Sequence, residues 1–156
     1  GRELPAGTTG MVYFSGGPRF EYFKDPEKTV AAYNDRGWST LGDIGHVDND
    51  GYLYLTDRAS HMIISGGVNV YPREVEDVLL THPAVADVAV FGIPDPEYGE
   101  VVKAAVQLEH DATGAVPRVA AAELIEYCRA RLAHLKCPKS IDFHTELPRH
   151  QTGKIY

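Results

Sequence analysis

A few short stretches of this 156-residue chain carry side chains whose type and spacing could do chemistry. Asp43 follows Gly42, and a carboxylate so placed can accept hydrogen bonds from two vicinal hydroxyls at once, or serve simply as a turn residue. Arg58 stands at the far end of the same predicted hairpin, where its plainest role is a surface ion pair with Asp57 or Asp43. Ser65-Gly66-Gly67 lies between two short apolar runs, and paired glycines there make a tight turn or bulge. Lys154 ends the polar stretch Gln151-Thr152-Gly153-Lys154; composition assigns it to solvent, yet a lysine is also a compact cation on a long flexible stem. The seven His residues show no HExxH or similar spacing, and Cys128 and Cys137 form neither a CxxC pair nor a zinc-spaced group with a His. No metal site built from protein side chains is expected, and both cysteines read as reduced thiols of a cytoplasmic protein.

The elements that must hold these residues divide at about Met62. Residues 1–57 read as short strands with polar turns: Met11 to Ser15, then Asp43 to Asp48 and Tyr52 to Thr56 around Asp50-Gly51, where glycine supplies the positive φ of a tight hairpin. Alone, this part would leave sheet edges open, so it is expected to be the last section of a larger β domain. After a strand from Met62, Pro72 with Glu74 and Glu76 opens a helix whose Val75, Val78 and Leu79 share a face, and Pro83 ends it. Val85 to Ile93 is an apolar run suited to a buried strand, and Val101 to Glu109 alternates as a strand with one wet face. Beyond Pro117, Ala121, Leu124, Ile125, Cys128, Leu132 and Leu135 follow helical spacing until Pro138, and Ile141 and Phe143 mark a last short strand. The order strand, helix, strand, strand, helix, strand predicts a compact α+β unit like a split βαβ arrangement.

Composition narrows the function. With 44% apolar and 24% charged residues, the chain falls in the range of soluble globular proteins. A net charge of −7 argues against broad attraction to nucleic acid or an anionic membrane, which would need a basic face. No apolar stretch approaches the roughly 20 residues that span a bilayer, so no transmembrane segment is expected. The chain opens on Gly1 rather than Met, from which a processed or excised piece of something larger is expected.

Three blocks match one family at matching separations: Gly37-Trp38-Ser39-Thr40-Leu41-Gly42-Asp43 to Arg58, then Met62-Ile63-Ile64-Ser65-Gly66-Gly67-Val68-Asn69-Val70-Tyr71-Pro72-Arg73-Glu74-Val75-Glu76, then Leu147-Pro148-Arg149 to Gly153-Lys154. Together they resemble the carboxy-terminal portion of the acyl- and aryl-CoA synthetases of the adenylate-forming superfamily. The resemblance implies an acid:CoA ligase using ATP, Mg2+ and CoA: a carboxylic acid, fatty or aryl, attacks ATP to give an acyl-adenylate, then the small carboxy-terminal domain rotates and CoA displaces AMP. It implies residues 1–57 as the end of the large domain, 58–61 as a hinge, and 62–156 as the mobile domain. It places Asp43 and Arg58 on the nucleotide ribose, and Asn69 near the phosphates where some relatives hold an Arg. Ser65, Gly66 and Gly67 then line the tunnel for the pantetheine arm of CoA. Lys154 becomes the catalytic lysine, contacting the acid carboxylate and the α-phosphate during adenylation. Ser60 falls at the hinge position, where the family usually has Asp or Lys.

Ala6-Gly7-Thr8-Thr9-Gly10 looks like the family's phosphate-binding loop but lacks its Pro-Lys continuation, so Thr8-Thr9-Gly10 is expected to be a turn. With that loop and the acid pocket missing, the chain alone is expected to be inactive and to need the large domain as its partner. Two other readings compete. One is the adenylation domain of a peptide synthetase, although its usual Arg-Gly-x-Arg-Ile-Glu-Leu-Gly-Glu loop is replaced here by Ser-Gly-Gly-Val-Asn-Val-Tyr-Pro. The other is a non-catalytic α+β binding module.

Overall fold

A computed structural model of the chain describes residues 2–110 and 117–151. The chain divides into two compact units, Gly1–Ser60 and His61–Tyr156.

The first unit holds three antiparallel strands in the order β1 (Gly10–Met11), β2 (Asp43–Val47) and β3 (Leu53–Arg58). The β2–β3 turn forms where Asp50-Gly51 predicts it. Gly51 has φ +88, and the Asp48 carboxylate accepts the backbone N–H groups of Asp50 and Tyr52 at 3.0 and 2.9 Å. These bonds, led by the one from Tyr52, hold the Asp48 carboxyl below its ordinary range. Two details differ from the sequence reading. The strand expected over Met11 to Ser15 contracts to Gly10–Met11 plus an isolated bridge between Phe14 and Ser39. A helix, α1 (Pro26–Ala31), also stands in the segment read as strands and turns. It has no buried residue and hence no apolar period, but its start signal is present: Asp25 caps it by accepting Lys28 N–H at 2.9 Å, and Pro26 occupies its first turn.

The second unit is α+β, as expected. Its sheet runs in the order β5 (Val68–Val70), β4 (Ile63–Ser65), β7 (Gly99–Leu108), β6 (Val85–Asp95), with β8 (Ser140–His144) also paired to β7. The single strand expected at Met62 is thus a hairpin of two three-residue strands. Strands β6 and β7 pair antiparallel from Val85↔Leu108 to Asp95↔Gly99. Strand β8 lies parallel to β7, from Lys103↔Ser140 to Gln107↔His144, and helix α3 (Ala121–Arg129) makes the crossover that parallel pairing requires.

One apolar cluster holds this unit together. Val88, Val90, Val102, Ala104 and Val106 from the central strands meet Val75 and Leu79 of α2 (Pro72–Leu80) and Leu124 and Cys128 of α3. The run Val85 to Ile93 proves to be an edge strand rather than a fully buried one: Val85, Val88 and Val90 are buried, while Ala86 and Phe91 are exposed. Helix α3 is shorter than its apolar spacing predicts, ending at Arg129. Leu132 still packs on the core and Leu135 enters a short 3₁₀ turn, so the apolar series continues to fill one side after the backbone has left the helix.

Leu124 is fully buried in this cluster, whereas Leu80 is 40% exposed. Leu124→Ala is therefore expected to lower unfolding stability by about 2–5 kcal/mol, and Leu80→Ala by roughly 0.5 kcal/mol or less. Urea unfolding of the two variants measures the contrast; equal losses would contradict this placement of the core.

Candidate functional site

In the first unit, antiparallel register sets Asp43 directly opposite Arg58, and the Arg58 Nε lies 3.4 Å from Asp43 Oδ1. The Asp43 side chain is 20% exposed and that of Arg58 60%. The approach to Asp43 is fixed by Thr40, whose buried hydroxyl accepts Gly42 N–H at 3.0 Å, and by Ala59 N–H, which donates to Gly42 O at 2.8 Å. The pair is thus a partly sheltered carboxylate beside an exposed guanidinium, an arrangement able to grip a diol. The Asp57 carboxylate accepts the Arg58 backbone N–H at 2.6 Å. Ser60 is exposed in a 3₁₀ turn, Ala59–His61, and is the last residue of its unit.

In the second unit, Ser65-Gly66-Gly67 forms the tight connection between β4 and β5. Gly66 and Gly67 have φ +56 and +79, so both central residues of the turn are left-handed, which favours glycine at each. Ser65 is buried, pairs with Val68 across the hairpin and with Gly99 of β7, and Gly66 N–H donates to Tyr98 O at 2.9 Å. A Cβ at Gly66 would press on the Tyr98 ring at 3.0 Å, whereas at Gly67 it would meet nothing within 4 Å. Asn69 opposes Ile64 on the exposed face of the same hairpin. Ser65, Gly66, Gly67 and Asn69 therefore share one small hairpin, buried at Ser65 and exposed at the other three.

Beside Ser65 opens a cavity of about 300 Å³, whose wall includes Tyr98, Arg129, His134, Cys137 and Lys139. Arg129 is engaged by Glu126, and the Lys139 Nζ lies 2.8 Å from Asp95 Oδ2. That hydrogen bond holds the Asp95 carboxyl below its usual range and pushes the Lys139 ammonium up. Sequence reasoning missed these residues because they come from the β6–β7 turn and from the connection between α3 and β8, both remote from Ser65 along the chain. The signal available was Asp95-Pro96-Glu97-Tyr98-Gly99, a turn-rich stretch between two strands.

Lys154, with Gly153 and Thr152, lies outside the described residues. Among the described residues no group of three or more His, Cys, Asp or Glu is placed to hold a metal ion, and no helix is long and apolar enough to cross a membrane. The turn expected at Thr8-Thr9-Gly10 lies instead at Ala6-Gly7, closed by Thr8 N–H donating to Pro5 O at 3.1 Å, and Gly10 already belongs to β1.

Residues 74–154 match the family model for the AMP-binding enzyme C-terminal domain, and the chain belongs to that family. Among its relatives, the long-chain-fatty-acid–CoA ligase FadD13 of Mycobacterium tuberculosis is 46% identical over 135 residues, covering 86% of this chain and 25% of the relative. A feruloyl-CoA synthase of Amycolatopsis is 44% identical over 156 residues, covering 99% of this chain and 30% of the relative. Among solved structures, ATP-bound MatB from Rhodopseudomonas palustris superposes with a TM-score of 0.82 at 35% identity, covering 99% of this chain and 30% of that one. The chain thus spans less than a third of the length of each of these proteins.

Cys128 and Cys137 are free and buried. Burial pushes the Cys128 thiol from 9.0 up to about 11, and raises Cys137 as well. The folded state keeps the Cys128 proton where the unfolded chain has lost it, so this contribution to stability is complete below pH 9 and disappears as pH rises from 9 towards about 11. Unfolding free energies measured across that window are expected to fall more steeply for the parent chain than for Cys128→Ala; parallel profiles would refute the linkage.

Proposed function

We propose that this chain is the carboxy-terminal part of an AMP-forming acid:CoA ligase, in which Gly1–Ser60 ends the large domain and His61–Tyr156 is the mobile domain. The observation that carries the reading is the Ser65-Gly66-Gly67 turn: an exposed, left-handed glycine pair at the tip of a hairpin, held by Tyr98 and bordered by a cavity. In a family whose relatives include fatty-acyl and feruloyl CoA ligases, such bare backbone suits the passage of a slender thiol arm. A phosphate-bearing carrier of that arm would pass Arg129, His134 and Lys139 on the cavity wall. The first unit supports the reading from another side. Leu53, Tyr54 and Leu55 are exposed in succession on β3, so both faces of its sheet are open, as expected of a piece of a larger domain.

In the proposed cycle Asp43 and Arg58 hold the ribose hydroxyls of ATP, with Asn69 near its phosphates. Lys154 places its ammonium against the α-phosphate and the incoming carboxylate, offsetting the charge that builds up during adenylation. The mobile domain then turns about Ser60, a small residue suited to absorbing the backbone change, and the glycine turn receives CoA. Mg2+ is expected to accompany the ATP phosphates. The described residues form no cluster to hold it, so no step here is assigned to it. The acid, fatty or aryl, is selected by the large domain, and the free, buried thiols fit the reducing cytoplasm proposed as the setting.

A second reading has one specific observation behind it. An amide bond synthetase from Marinactinospora thermotolerans matches 98% of this chain at 38% identity with a TM-score of 0.79, so the same architecture also serves a different acyl acceptor. Offering the full-length protein CoA and a panel of amines with the same acid separates the two; amide product without thioester would replace the ligase reading.

The roles divide between half-reactions. In the full-length protein, Lys154→Ala is expected to lower acid-dependent pyrophosphate exchange by about 10²–10³-fold, leaving CoA transfer onto preformed acyl-adenylate intact. Equal loss of both steps would sink the assignment. Gly67→Leu is expected to do the reverse: a Cβ there meets nothing within 4 Å, so the side chain extends from the turn, and the φ of +79 adds backbone strain at the same place; CoA transfer at the parent rate would remove the turn from the tunnel.

A further inference from the structure

The hairpin that carries Ser65, Gly66 and Gly67 is short and is tied to β7 by one register pair, Ser65↔Gly99. Ile63 and Val70 anchor its inner face in the apolar core, so what is left to polar contacts is the placement of its turn end. Two carboxylates flanking the β6–β7 turn contribute to that placement. Asp95 Oδ1 accepts the N–H groups of Glu97 and Tyr98 at 3.0 and 3.1 Å, fixing the turn whose Tyr98 carbonyl receives Gly66 N–H. Glu100 reaches the hairpin itself: its Oε2 accepts Ile64 N–H at 3.0 Å, taking the place of a strand carbonyl beyond the end of the β4–β7 ladder.

Room for the Glu100 side chain is made by Gly92 on β6. A Cβ at Gly92 would lie 2.9 Å from Glu100 Oε1 and 3.1 Å from the Cγ2 of the buried Ile63. Among the described residues Glu100 is joined to no cation by an ion pair, unlike Asp95 with Lys139 and Glu74 with Lys136. A carboxylate spent on one backbone amide, over a glycine that leaves it space, is poorly explained as a source of bulk stability. It is well explained as a device for setting where the hairpin points.

We infer that Glu100 is a positioning residue for the thioester-forming half-reaction, acting through Ile64 to hold the Gly66–Gly67 backbone at the CoA tunnel. This rests on the reading of the turn given under Proposed function. Glu100 touches no substrate in this role, and adenylation does not depend on it.

The test uses the full-length protein with Glu100→Ala, Glu100→Gln and Gly67→Leu, each assayed for pyrophosphate exchange and for CoA transfer onto preformed acyl-adenylate. Removing the acceptor in Glu100→Ala is expected to lower kcat/KM for CoA about tenfold, with exchange within about twofold of the parent. Glu100→Gln keeps an oxygen for Ile64 N–H and is expected to restore CoA transfer to within about threefold of the parent. Hydrogen exchange of peptides spanning residues 63–70 should quicken in the Ala variant and not in the Gln variant. If Gly67→Leu blocks CoA transfer while Glu100→Ala leaves it unchanged, the turn keeps its role and the inference on Glu100 fails. If both half-reactions fall together in Glu100→Ala and Gln does not rescue them, Glu100 is only a support of the fold. If Gly67→Leu leaves CoA transfer unaffected, the reading of the turn fails and the inference with it.

Discussion

The β6–β7 ladder is the frame on which the second unit is built. Along one face Val88, Val90, Val102, Ala104 and Val106 form the floor that α2 and α3 cover. Burying each such valine contributes roughly 1.5–3 kcal/mol, whereas a hydrogen bond such as that from Gly66 to Tyr98 contributes a net of about 0.5–1.5 kcal/mol. The division of labour follows from those sizes. Apolar burial along the ladder holds the unit together, and the few polar contacts at its turn end decide where the glycine turn sits.

Strand β6 lies at the sheet edge and is long enough to template pairing with another chain. Two of its outward amides are occupied instead. Val88 N–H donates to Asp87 Oδ1 at 2.9 Å and Val90 N–H to Glu76 Oε1 at 3.0 Å, while Pro94 has no amide hydrogen to offer. Glu76 does this from α2, so the helix that covers the core also blunts the edge.

What could be read from the sequence depended on range. The alternation of β7, the Asp50-Gly51 hairpin and the Pro72 helix start were legible because each is a local pattern. Helix α1 was overlooked because it buries nothing, although Asp25 and Pro26 announced it. The edge position of β6 and the early end of α3 were not legible, since an apolar run shows that a segment is buried somewhere but not on how many sides. The site divides in the same way. Asp43, Arg58 and the glycine turn stood out as short motifs, and the register then set the first two opposite each other. Glu100 and Lys139 carry no motif: their importance exists only once β4, β7 and the connection before β8 are folded together.

The parallel pairing of β8 with β7 bears on the order in which the unit assembles. Strands β6 and β7 are joined by a short turn, so their hairpin can close on a timescale of about 1–10 μs. Strand β8 must wait until α3 has formed and crossed the sheet, since its partners on β7 lie far away along the chain. The turn end of the ladder, with Asp95 and Glu100, is thus formed by local contacts, while β8, like the β4–β5 hairpin paired through Ser65↔Gly99, joins β7 across a long stretch of chain. The glycine hairpin and the carboxy-terminal strand therefore both add to a frame that the local β6–β7 hairpin has already laid out.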